Sequence, residues 1–160
     1  MKTSVCLSCS SPKTLLSCGI CELPVCKSCA VYLEENYFSF MKTVPRDLSH
    51  TTYCHGCFEA KVANALISYD DVMERARNIE IFTKSQGRET RLMKRAVRPV
   101  EALNCPDKQE TILRLAFLAA EAGYNGLIDV ELKSKKIIVN SYQSTLWNGR
   151  GVPIQLKRRS

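Results

Sequence analysis

Eight of the nine cysteines in this 160-residue chain fall into four Cys-x-x-Cys pairs: Cys6/Cys9, Cys18/Cys21, Cys26/Cys29 and Cys54/Cys57. Such a turn presents two sulfurs to one metal. Zinc takes a tetrahedron of thiolates, so two pairs close one structural site and four pairs make two. The gaps between successive pairs are 8, 4 and 24 residues. The shortest gap makes independent use of the two middle pairs difficult and favours interleaved sites. A catalytic zinc keeps an open position beside an acid or base. Eight cysteines saturate two metals, so the two Zn²⁺ ions are expected to serve folding. In about 60 residues, metal binding can supply free energy that a small core cannot. His50 and His55 read as surface residues, and Cys105, outside the pairs, as a small buried hydrophobe.

Compartment separates metal sites from disulfides. The N-terminus, MKTSVCLSCSSPKTLLSC, is polar and interrupted by Pro12 and Lys13, unlike an export signal. No apolar run reaches the roughly 18 residues of a membrane span. The expectation is a soluble cytoplasmic protein with reduced thiols. The formal charge is +7; eight thiolates and two Zn²⁺ bring it to about +3. Residues 1–60 hold five Lys/Arg and five Asp/Glu, so any attraction to acidic partners comes from the second half.

The elements that must carry these groups follow from patterning. Phe58 to Leu66 reads as a short helix closing the zinc module, and Ser68 to Asp71 resembles a capping box before a second helical stretch to Asn78. Ile79 to Thr83 reads as a strand and Gln86-Gly87 as a turn. Leu92 to Val100 is compatible with a strand that Pro99 places at an edge or end. The clearest helix starts at Pro106-Asp107, with Glu110 in capping-box spacing, and carries an apolar stripe from Ile112 to Ala120. Gly123 ends it. Strands are expected at Gly126–Leu132, Lys136–Leu146 and Val152–Leu156, with turns at Ser134-Lys135 and Asn148-Gly149. The predicted class is α+β: a small two-zinc finger at 1–66, a helical linker at 67–78, and a one-helix, largely antiparallel sheet at 79–160.

The all-cysteine ligand set, the gap ELPV between Cys21 and Cys26, and the ending Cys54-His55-Gly56-Cys57-Phe58 leading into a helix resemble a FYVE-type finger over residues 4–66. The cross-braced topology of that family implies that Cys6, Cys9, Cys26 and Cys29 bind one zinc. Cys18, Cys21, Cys54 and Cys57 would bind the other. Members that bind phosphatidylinositol 3-phosphate carry a basic, histidine-rich motif near the second pair. This chain has Thr14 to Gly19 (TLLSCG) there, so the metal scaffold carries over and the lipid ligand does not. Leu15 and Leu16 are expected to be buried rather than to form a membrane-touching tip.

Residues 79–156 resemble the YbjQ-like family, also called heavy-metal-binding domains, through Ala119 to Ile128 (AAEAGYNGLI), Asp129 to Glu131 and Arg150 to Ile154 (RGVPI). The resemblance implies a small α+β unit and a ring-like homo-oligomer, commonly a pentamer. Beyond Cys57 there is one cysteine and no histidine, so the chain itself gives the heavy-metal label no support. No nucleophile elbow, phosphate loop or acid/base dyad is visible. The basic run holding Arg91, Lys94, Arg95 and Arg98 is the best candidate for anion or nucleic-acid binding, although strand alternation would divide it between two faces. The leading expectation is a non-enzymatic scaffold, with the finger displayed on an oligomer toward a protein partner the sequence does not identify. Binding of the finger to a phosphoinositide membrane surface, and nucleic-acid binding through 88–98, are the alternatives.

Overall fold

The computed structural model describes residues 5–12, 14–93 and 97–156. The chain divides into two compact units, Met1–Asp70 and Asp71–Ser160.

The first unit has little regular structure. Strands β1 (Leu16–Ser17) and β2 (Pro24–Val25) form one short antiparallel ladder, and β3 (Val31–Tyr32) and β4 (Thr52–Tyr53) form another. A 3₁₀ turn, Arg46–Leu48, precedes β4. A helical run then begins with α1 (His55–Cys57), passes through a π-helical turn at Phe58–Val62, and continues as α2 (Ala63–Arg77). Besides cysteines, the buried side chains among the described residues of this unit are Val25, Phe38, Leu48, Tyr53, Val62 and Tyr69. That core is small for about 70 residues, which leaves a place for metal in the folding free energy. Tyr53 is fully buried, and its hydroxyl donates to the Asp47 carbonyl at 2.9 Å and accepts from the His50 N–H at 3.1 Å. Phe38 and Tyr69 pack edge to face with centroids 5.0 Å apart.

The two helical stretches expected on either side of Ser68 are one continuous run. Asp70 and Asp71, read as part of a cap, serve other partners. Asp70 accepts from the Tyr37 hydroxyl at 2.6 Å, and Asp71 pairs with Arg75 one turn on at 3.1 Å.

The second unit is α+β. Strands β5 (Glu80–Thr83), β6 (Val100–Cys105), β7 (Gly126–Val139) and β8 (Tyr142–Ile154) form one sheet in the order β5-β7-β8-β6. β5 runs parallel to β7, and the other pairings are antiparallel. Helix α4 (Lys108–Glu121) packs on this sheet and buries Leu115, Ala116, Ala119 and Ala120, with Thr111 and Leu115 over Gly149 beside Leu132. Both of its ends are built as the sequence predicts. The Asp107 carboxylate accepts from the Glu110 N–H at 2.7 Å. Gly123, at φ +91°, lets its own N–H reach Ala120 and that of Tyr124 reach Ala119, a Schellman closure. Cys105 is buried in this core.

Three expectations for this unit are corrected. The break expected at Ser134-Lys135 lies inside β7, and the strand expected over Lys136–Leu146 is divided between β7 and β8 by the hairpin turn Asn140-Ser141, with φ of 50° and 69°. Paired positive φ is the geometry of a two-residue hairpin turn. Asn148-Gly149 is not a turn but lies inside β8. A Cβ on Gly149 would meet Thr111, Leu115 and Leu132 at 2.7–2.9 Å, so the missing side chain lets α4 approach the sheet. The segment after β5 is a 3₁₀ turn, Lys84–Gln86, followed by a short helix, α3 (Gly87–Thr90); of the strand expected over Leu92–Val100, residues 94–96 lie outside the described residues, and among the described ones the next strand begins at Val100. The Thr83 hydroxyl and the Gln86 side chain close a capping box there.

Candidate metal centre

All four Cys-x-x-Cys pairs adopt one local turn. The N–H after the second cysteine donates to the carbonyl of the first: Ser10 to Cys6, Glu22 to Cys18 and Ala30 to Cys26 at 2.9 Å, and Phe58 to Cys54 at 3.0 Å. In the first two turns the donor residue is left-handed, Ser10 at φ 59° and Glu22 at φ 60°. A non-glycine residue is disfavoured in that region, so the closure must compensate. The second turn sits in the β1–β2 connection. The fourth opens the helical run, with Cys54 as its N-cap.

These turns bring the sulfurs into two groups. Cys6, Cys9, Cys26 and Cys29 form one, and Cys18, Cys21, Cys54 and Cys57 the other. Within each group the four Sγ atoms all lie within 4.8 Å of one another. The first pair therefore meets the third and the second meets the fourth, the crossed arrangement implied by the resemblance. Zn–S bonds of about 2.3 Å give a tetrahedron with S···S edges of about 3.8 Å. Cys9 and Cys26 stand 3.5 Å apart, and Cys21 and Cys54 stand 3.9 Å apart. Two separate tetrathiolate groups, each able to bind one metal ion, thus fit two structural Zn²⁺ sites.

The electrostatics need that cation. The Cys6 thiol is lowered to about 6, chiefly by the Cys26 backbone N–H, which donates to its sulfur at 3.4 Å. At Cys18 burial pushes upward, but the backbone N–H groups of Cys54, Cys21 and Ile20 outweigh it and hold the thiol at about 6. The last thiol of each group resists ionisation. Cys29 is pushed up to about 12 by the sulfurs of Cys9 and Cys26, and Cys57 to about 12 by burial and by the sulfurs of Cys54, Cys21 and Cys18. Four adjacent thiolates repel; a divalent cation among them removes the penalty.

The remaining candidates are dispersed. His50 lies over Gly19 in the second turn, so closely that a Cβ there would collide with its ring. His55 is exposed, 4.0 Å from Glu59. Neither belongs to a sulfur group. Of the basic run, Arg91 lies in a turn and Arg98 outside any strand, both exposed, while Lys94 and Arg95 lie outside the described residues. Strand alternation therefore does not divide Arg91 from Arg98. Leu15, expected to be buried, is 86% exposed; Leu16 is half-buried. The common turn closure and its left-handed residues were missed in the sequence, since neither Ser10 nor Glu22 is the glycine that would have signalled them.

No helix among the described residues is long and apolar enough to cross a membrane. No family model, curated protein or solved structure matches the chain.

Proposed function

We propose that this chain is a non-enzymatic zinc-binding interaction protein, with a FYVE-like finger at about 4–66 displayed on a homo-oligomer built by the YbjQ-like residues 79–160. The observation that carries the reading is the closure of both sulfur groups. Four thiolates complete the tetrahedron of each metal, so neither retains a position for water or substrate. Zinc then holds the finger's shape, and the finger's surface does the binding. Several copies on one assembly turn a weak contact into avidity without new chemistry. The reduced thiols fit the cytoplasm.

The test replaces zinc with Co²⁺ and measures mass in solution. A tetrathiolate visible spectrum with two metals per chain and a mass above one chain is expected. An oxygen-ligand spectrum would remove the basis for a non-catalytic centre, and a strict monomer at micromolar concentration would remove the avidity.

A second reading, membrane-surface binding by the finger, draws on the exposure of Leu15, with Val5, Leu7 and Leu23 also exposed in the same unit. It requires zinc-dependent binding to phosphoinositide vesicles that weakens on Leu15→Ser. No binding at low salt by the loaded protein would end it.

A further inference from the structure

The β7–β8 hairpin outruns its own sheet. β5 pairs with β7 only as far as Val130, and β6 reaches β8 only at Trp147. Beyond those points, among the described residues, β7 and β8 pair only with each other, from Lys135↔Leu146 to Val139↔Tyr142. At about 3.3 Å per residue this two-stranded arm is about 17 Å long. Two strands without a packing partner are marginal in water; three or more with an apolar face are not.

The arm is apolar where it should be polar. Ile137, Val139, Tyr142 and Leu146 share one face by register and alternation, and Ile138 lies on the other. Tyr142 and Ile138 are each 79% exposed and Val139 is 54% exposed. From Ile137 to Gly149 there is no charged residue.

The arm's two edges differ. The β7 side carries Lys133, Lys135 and Lys136, the usual guard against strand addition. The β8 side, Tyr142 to Leu146, has no lysine, proline or register break, and among the described residues no strand pairs with it. With a two-residue turn, Val139 and Tyr142 exchange their backbone bonds, so Gln143 and Thr145 turn theirs outward. Trp147, two residues on, uses the same side to meet Cys105 of β6.

We infer that the free β8 edge pairs antiparallel with the β8 edge of a second copy of this chain, about a two-fold axis through Ser144. The register is self-complementary. Ser144 faces its own copy, Gln143 and Thr145 exchange backbone bonds across the joint, and Tyr142 faces Leu146, with no like charges opposed. A β7–β7 joint would instead set lysines against lysines. The product is a four-stranded ribbon whose outer edges are the lysine-bearing ones, so growth stops at two copies. This names a two-fold joint for the homo-oligomer proposed above, in place of the five-membered ring that the resemblance implies, and rests on that reading.

The test uses the full zinc-loaded chain, Ser144→Lys and Ser144→Glu, with mass by light scattering across a dilution series. Ser144 is exposed and outside the metal groups, so zinc content and circular dichroism should be unchanged. Each variant alone should raise the dissociation constant at least about tenfold, since like charges then meet at the axis, and mixing the two should restore association. A wild-type monomer overturns both this joint and the oligomer reading. An associated wild type with unaffected variants overturns the joint alone, as does failure of the mixture to recover. Hydrogen exchange gives a check that needs no variant: the Gln143 and Thr145 amides should be protected at high concentration and exposed on dilution. Their exposure at both concentrations overturns the joint.

Discussion

Replacing Cys18 and Cys54 with serine should cost the protein one zinc and leave about one bound. The two residues come from different Cys-x-x-Cys pairs, yet their sulfurs belong to the same group. If metals instead joined neighbouring pairs, first with second and third with fourth, Cys18→Ser/Cys54→Ser would injure both sites. Cys6→Ser/Cys18→Ser is the converse, since in the crossed arrangement it injures both sites and in the neighbouring one it injures a single site. The magnitude follows from what the metal supplies. Structural zinc contributes about 10–16 kcal/mol in finger peptides at neutral pH, against roughly 5–15 kcal/mol for the net stability of a whole domain. The first unit buries only a handful of large side chains besides its cysteines, so the second group's loss should release the helix start and the β3–β4 ladder around Tyr53. The first group, closed by turns at Cys6–Ser10 and Cys26–Ala30, should keep its ion. Zinc per chain by elemental analysis reads the count, and limited proteolysis reads where the chain opens. Two zincs retained by the Cys18/Cys54 variant, or a higher count in the Cys6/Cys18 variant, would refute the crossed pairing.

Three further outcomes are expected. Zinc uptake at neutral pH should release at least one proton per site, because Cys29 and Cys57, both near 12, are still protonated in the metal-free groups. Calorimetry in two buffers of different ionisation enthalpy checks this, and a buffer-independent heat would contradict it. The pH dependence of the metal-free finger has two windows. Cys6 and Cys18, lowered from 9.0 to about 6, stabilise it above pH 9, and that stability is lost as pH falls from 9 through 6; Cys29 and Cys57, raised from 9.0, stabilise it below pH 9 and lose that as pH rises toward 12. Gly149→Val should destabilise the second unit by about 1–3 kcal/mol, as its branches meet Thr111, Leu115 and Leu132, while zinc content stays the same in thermal melts with metal analysis. Asp107→Ala should cost about 1 kcal/mol in urea denaturation by leaving the Glu110 N–H without its cap, and Asp107→Asn should recover most of it.

The metal groups were legible because tetrahedral thiolate chemistry fixes residue type and spacing almost alone. The ends of α4 were legible for a similar reason, since Asp107 and Gly123 each answer a local backbone need. Misreadings arose where one residue type serves two purposes. Asn148-Gly149 has the composition of a hairpin turn, but Gly149 is small to admit α4, and the turn fell to Asn140-Ser141, which carries no glycine. Ser134 to Lys136 looked like a connection because it is polar. It is a strand exposed on both faces, where patterning by burial has nothing to report. Asp70 and Asp71 matched a helix-start signature while their carboxylates were committed to Tyr37 and Arg75. In each case tertiary packing, which composition does not encode locally, decided between two permitted readings.

The crossed sulfurs also set an order of assembly. Cys9 and Cys26 are 17 residues apart, and Cys21 and Cys54 are 33 residues apart. Doubling a loop adds only about 0.6 kcal/mol of closure entropy, so the bias at equilibrium is slight. Along a growing chain it is larger in effect, because the first group is complete once Cys29 has emerged and the second must wait for Cys57. Closing the first loop encloses Cys18 and Cys21 and fixes the β1–β2 hairpin that holds them. The later pair thus arrives at a half-built site, and the first metal becomes a template for the second.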